Sequence, residues 1–96
     1  MEKDSFFYAA NVEPEIARMF KAYNAGQKEV AEKFKNISIK MVDEILTKQE
    51  ISSVGREEWF TIRNMIEGYE NLDTYMKQVL LFYGRPFSEK FMKQFD

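Results

Sequence analysis

From Ile16 to Ile45, apolar residues return every three or four positions, with Gln27 holding the one polar step: Ile16, Phe20, Tyr23, Val30, Phe34, Ile37, Met41 and Ile45. This spacing winds one apolar stripe along an α-helix and fits no β-strand, whose faces alternate with a period of two. An all-α fold follows. Pro14 suits the first turn of such a helix, where a missing N–H breaks no bond, and Glu13 and Glu15 sit where the helix dipole favours acid. The far end comes near Gln49-Glu50, before Ser52, Ser53 and Gly55. Asn24-Ala25-Gly26 is the weak point, because glycine in a helix interior costs about 1 kcal/mol against alanine. The rhythm stays in phase from Tyr23 through Gln27 to Val30, so one helix over 14–50 is expected. A break at 24–26 is the alternative.

Ile51-Ser-Ser-Val-Gly55 reads as a helix–helix turn with a serine as N-cap. A second long helix over 53–83 then carries Trp59, Ile62, Ile66, Tyr69, Met76, Leu80 and Tyr83, with Asp73 in the one missing step. Met65, Leu72, Val79 and Leu81 broaden that stripe. Tyr83-Gly84-Arg85-Pro86 marks a sharp end, since Pro86 cannot continue a helix. A short helix over 88–95 should follow, with Ser88 as its cap and Phe87 and Met92 at staple spacing. Phe87, Phe91 and Phe95 then share one face.

Two helices of this length, about 45 Å each at 1.5 Å per residue, joined by a short turn make an antiparallel hairpin. The short C-terminal helix and an aromatic arm over 1–12 accompany it within a single domain, 1–96. Phe6, Phe7 and Tyr8 are expected to meet Tyr83, Phe87, Phe91 and Phe95 at the open end, close to Phe20 and Tyr23. Each helix of a pair hides only one side of the other, so the surplus apolar surface predicts completion of a helical bundle by dimerisation.

Residue types absent from the chain narrow its function. It has no histidine and no cysteine, which removes Cys-His and Ser-His catalysis, ordinary zinc sites and disulfides. No glycine-rich phosphate loop, calcium loop or nucleophile elbow occurs. The chain is expected not to be an enzyme and to use no cofactor or metal. A net charge of −2 lacks the basic footprint of a nucleic-acid binder. No apolar run approaches the roughly 18 residues of a membrane span, and the start lacks a signal peptide's layout; a cytoplasmic protein is expected.

Glu67, Glu70 and Asp73 share a helical face, read chiefly as a solvated acidic stripe. Lys21, Lys28 and Lys35 recur at seven-residue intervals, blunted by Glu29 and Glu32. Gln27 and Asp73 are polar at seam positions, where such residues set register. Trp59 and Phe60 are neighbours, so one of them must face away from the seam.

In length and layout the chain resembles the small type VII-secreted hairpins of the Trp-x-Gly family. Its turn reads Ser53-Val54-Gly55 with Trp59 one turn later, and Tyr69 with Asp73 matches that family's tail signal only mid-helix.

The leading expectation is a protein-binding module acting as a homo-oligomer: a small adaptor, inhibitor or assembly factor of the kind phages and mobile elements encode. Its candidate contacts are Phe6, Phe7, Tyr8, Trp59, Phe60, Phe87, Phe91 and Phe95. One alternative is an amphipathic protein that coats a surface or is a secreted hairpin, with peripheral membrane contact through Val79 to Phe95. Another is a nucleotide or effector sponge holding its ligand between protomers through Tyr23, Lys28 and Arg63.

Overall fold

The computed structural model describes residues 5–48 and 51–82. Three helices, α1 (Ser5–Asn24), α2 (Lys28–Thr47) and α3 (Ser53–Glu67), precede a 3₁₀ turn at Tyr69–Asn71. A further helix, α4, covers 74–82 of the described residues. No strand occurs among them, and none of their helices is long and apolar enough to cross a membrane. The expected helix over 88–95 lies outside the described residues, as do Tyr83, Phe87, Phe91, Phe95 and the side chain of Phe6.

The chain is all-helical, but both expected long helices are divided. The first stops at Asn24. Gly26 takes a positive φ of 78°, which glycine adopts without steric penalty. Around it the N–H of Gln27 donates to the carbonyl of Ala22 at 2.9 Å, and the N–H of Gly26 to that of Tyr23 at 3.0 Å. This pair of bonds is a Schellman motif, which satisfies carbonyls left open at a helix end. The chain then reverses, and α2 packs back along α1. Tyr8 near the start of α1 thus meets Lys48 just past α2, the ammonium standing 5.6 Å from the ring.

The phase across Gly26 is also corrected. In α2 the buried positions are Ala31, Ser38, Ile39, Val42 and Ile45. Val30, in phase with Tyr23 by sequence, is instead 40% exposed, and Ile37 is only half-buried. A turn resets the helical phase, so the old stripe is carried to α2's flank. Ala22, Ala31 and Ser38 are buried small residues that permit close helix approach. Ser38 donates its hydroxyl to the carbonyl of Phe34 at 2.8 Å. Among the described residues, no buried side-chain polar atom lacks a partner.

α1 begins well before Pro14, so no separate aromatic arm covers 7–12. The proline sits inside the helix and supplies no N–H to the bond reaching back four residues, a cost of about 3 kcal/mol. Ala9, Ala10 and Val12 are buried by that continuation. At roughly 1.5–3 kcal/mol for a large apolar side chain, Val12 together with the two alanines offsets the loss. Asn11 adds a side-chain bond to the carbonyl of Phe7 at 2.7 Å.

The second long helix divides at Gly68–Asp73. Gly68 caps α3 with its N–H on the carbonyl of Asn64, and Asp73 starts α4. The Asp73 carboxylate accepts from the N–H of Met76 at 2.8 Å, while its carbonyl takes the helical bond from Lys77. The carboxylate that looked misplaced in an apolar seam is an N-cap, exposed to solvent. The acidic stripe Glu67, Glu70, Asp73 is dispersed by the same break.

Between α2 and α3, Ser52 caps as the linker predicts, accepting from the N–H of Gly55 at 3.0 Å. Arg56 reaches back to donate to the carbonyls of Leu46 and Lys48. It thereby covers open carbonyls at the end of α2 with a cation, where the helix dipole favours one. One core unites the segments: Val12, Ile16 and Met19 of α1; Val42 and Ile45 of α2; Trp59, Ile62 and Ile66 of α3; then Tyr69 and Leu80.

Replacing Gly26 by alanine tests the reversal. A Cβ there meets no atom within 4 Å, so the cost is purely conformational, about 1 kcal/mol of lost stability. Asparagine should cost less. In urea unfolding, an alanine variant more stable than the parent would indicate a continuous helix.

Candidate functional site

The antiparallel packing of α2 and α3 gathers a ladder of polar side chains. Arg63 Nε donates to Asp43 Oδ1 at 2.7 Å, and its Nη1 lies 3.5 Å from Glu67. Lys35 stands 3.9 Å from Glu67 and 3.0 Å from Glu32. The ladder ends where the Tyr69 hydroxyl donates to Glu32 Oε1 at 3.3 Å. Charges alternate along it, and each cation lies between two carboxylates. The Asp43 hydrogen bond and charge hold Arg63 still more firmly protonated. Such partly exposed pairs contribute at most about 1 kcal/mol each; their main effect is to align α3 on α2.

Tyr69 also anchors the aromatic cluster. Its ring packs edge-on against Phe20 at 6.4 Å and Tyr23 at 5.4 Å between centroids. The Lys77 ammonium of α4 lies 5.7 Å from the Phe20 ring and 5.9 Å from Tyr23, a distance at which ring and cation attract. The expected cluster joining Phe7 and Tyr8 to Phe20 and Tyr23 does not form. These pairs lie at opposite ends of α1, and Phe7 and Tyr8 instead make a T-shaped contact of their own, with centroids 5.4 Å apart.

The candidate contact residues fall in different surroundings. Trp59 is buried in the core, whereas its neighbour Phe60 is 50% exposed. Tyr23 packs on Tyr69, Arg63 is engaged by Asp43 and Glu67, and Lys28 is exposed in the first turn of α2. Tyr23 and Arg63 are thus held by different partners. Among the described residues, no group of three or more acidic side chains is placed to hold a metal ion.

Among the described residues, apolar grooves open instead. One, of about 170 Å³, runs between α3 and α4 and is lined by Glu58, Thr61, Ile62, Met65, Val79 and Leu80. Beside it the outer face of α4 presents Tyr75, Val79 and Phe82, at 71%, 38% and 63% exposure. Their i, i+4, i+7 spacing makes a single stripe. Another groove, of about 210 Å³, lies on the outer side of the α1–α2 hairpin, lined by Arg18, Lys21, Ala22, Ala25, Gln27, Val30 and Phe34. The apolar rhythm of the sequence places Val30 in the stripe, where the structure exposes it, and gives no sign of Tyr75. The turn residues Gly68, Asn71 and Asp73 carried the signal, since a helix beginning at residue 74 leaves Tyr75 outside.

No protein-family model, curated protein or solved structure matches the chain.

Burial, with the Glu32 charge adding to it, pushes the Tyr69 phenol up to about 12. Folding therefore favours the neutral phenol. Its contribution is complete below pH 10 and is lost as pH rises from 10 through 12, by roughly 3 kcal/mol in all. Ultraviolet titration should show one late-ionising tyrosine that vanishes in Tyr69→Phe. The variant's stability should fall less steeply above pH 10 than the parent's. Identical profiles for both proteins would show that Tyr69 ionises as an exposed phenol.

Proposed function

We propose that this chain is a non-enzymatic protein-binding module that works as a homo-oligomer. The observation that carries the reading is the apolar surface left on α3 and α4. Tyr75 and Val79 project beside a groove floored by Ile62, Met65 and Leu80. Projection and groove lie side by side, so a two-fold axis between two copies seats each Tyr75 in the other's groove. Such self-complementarity is what a two-fold interface requires. The want of histidine and cysteine supports the non-enzymatic part, since a chain without them lacks the common nucleophile activators and soft metal ligands.

The four-segment fold reduces the demand for a second copy. A hairpin of two long helices would leave two broad stripes bare, whereas here α1 to α4 share one core. The remaining surplus is local, and the proposed assembly is correspondingly limited to the α3–α4 side. Adaptor, inhibitor and assembly roles all suit a module of this kind.

Light scattering across a tenfold concentration range should give twice the chain mass for the parent. The double variant Tyr75→Glu, Val79→Glu should give a single chain, with unchanged helical circular dichroism. A parent that remains monomeric throughout contradicts the oligomeric part of the reading.

A further inference from the structure

The apolar rhythm of 30–41 is not absorbed by the core. Val30, Phe34, Ile37 and Met41 follow one another at steps of four, three and four along the outer flank of α2. Val30 is 40% exposed, and the other three are partly exposed. Phe34 and Met41 touch the core, while Val30 and Ile37 stand outside it. The end of α1 and the turn after it contribute Ala22 and Ala25, whose small side chains leave the groove open between the helices.

The charges that line the groove beside this stripe have one sign. Arg18 and Lys21 line the groove from α1, and no carboxylate lines it. On the other edge Lys33 and Lys40 are exposed, each three or four residues from Val30 or Ile37 and therefore beside them on the helix surface. Lys33 lies 5.9 Å from the Phe34 ring. The same α2 edge carries Glu29, next to Val30 and four residues before Lys33, and Glu44, three residues after Met41 and 3.9 Å from Lys48. Glu15 is bonded to Arg18 at 2.6 Å. The α2 edge is therefore mixed in sign, and the groove lining on the α1 side holds cations alone.

From this we infer that the α1–α2 face is a docking groove for an amphipathic helix of a partner protein, apolar on one side and acidic along the flank that meets α1. The inference deepens the protein-binding reading by naming the partner's chemistry and a face separate from the self-contact. An apolar stripe with i, i+4, i+7, i+11 spacing accepts a helix laid along it. The cationic α1 edge selects an acidic flank and repels a basic one. The chain's own C-terminal residues do not fit the description: residues 83–96 carry Arg85, Lys90 and Lys93 against Glu89 and Asp96.

The test uses the full chain and two fluorescent helical peptides with the same leucine stripe, one flanked by glutamate and the other by lysine. Fluorescence anisotropy at low salt should show the glutamate peptide binding about tenfold or more tightly than the lysine peptide, with the gap shrinking as salt screens the edges. Lys21→Glu with Lys33→Glu should reverse the preference. Val30→Ser with Ile37→Ser should weaken both peptides while leaving circular dichroism unchanged. Equal affinity for the two peptides, binding to neither, or binding only to anionic phospholipid vesicles overturns the inference. Light scattering reads self-association separately, so a monomer that binds the glutamate peptide sinks the oligomer and leaves the groove standing.

Discussion

The reversal at Gly26 is the constraint on which the rest of the structure depends. A helix end leaves carbonyls open, and the two bonds closing over Gly26 satisfy a pair of them within the six residues from Ala22 to Gln27. Because the motif turns the chain back, α1 and α2 pack against each other, and their small residues Ala22, Ala31 and Ser38 are buried. Everything later is laid on that hairpin. Arg56 covers the end of α2, Arg63 aligns α3 through Asp43, and Tyr69 drops into the angle between Phe20, Tyr23 and Glu32.

Tyr69 shows how one residue couples several levels of the fold. It follows directly on the glycine that ends α3, so its position depends on the break at Gly68. Its ring fills the core while its hydroxyl ends the polar ladder on Glu32. Lys77, one turn into α4, lies over the same aromatic rings that Tyr69 touches. The first turn of α4 is thus tied to the end of α1 by a cation, and Leu80 one turn later is buried.

Helical content was legible in the sequence because period and composition agree over most of the chain. The breaks were harder to read, since each is made by few residues against a continuing rhythm. Asn24-Ala25-Gly26 offered a turn, but the heptad step from Tyr23 to Val30 argued for continuity. What the sequence could not convey is that the turn moves the core face of α2 to Ala31, Ser38 and Val42, two of which are not strongly apolar. Their burial comes from close helix approach, a property of the pair. Asp73 was readable as an anomaly and not as a cap, because its meaning depends on Gly68 and Asn71 together. Pro14 misled for the opposite reason: its local penalty is real, and the burial of Ala9, Ala10 and Val12 before it offsets the cost. The surface grooves were the least legible, since they depend on which apolar residues the packing leaves behind.

The most direct measurement of this account is the distance between spin labels on α1 and α2. The chain has no cysteine of its own, so Glu13→Cys with Glu44→Cys places two labels without further change. Diluting labelled chains with unlabelled ones isolates the distance within one molecule. A reversal at Gly26 puts the labels side by side, within about 20 Å once neighbouring helix axes 8–10 Å apart and the label tethers are allowed for. An unbroken helix would hold them about 45 Å apart at 1.5 Å per residue. The short distance is the predicted result; the long one would contradict the fold and both grooves built on it.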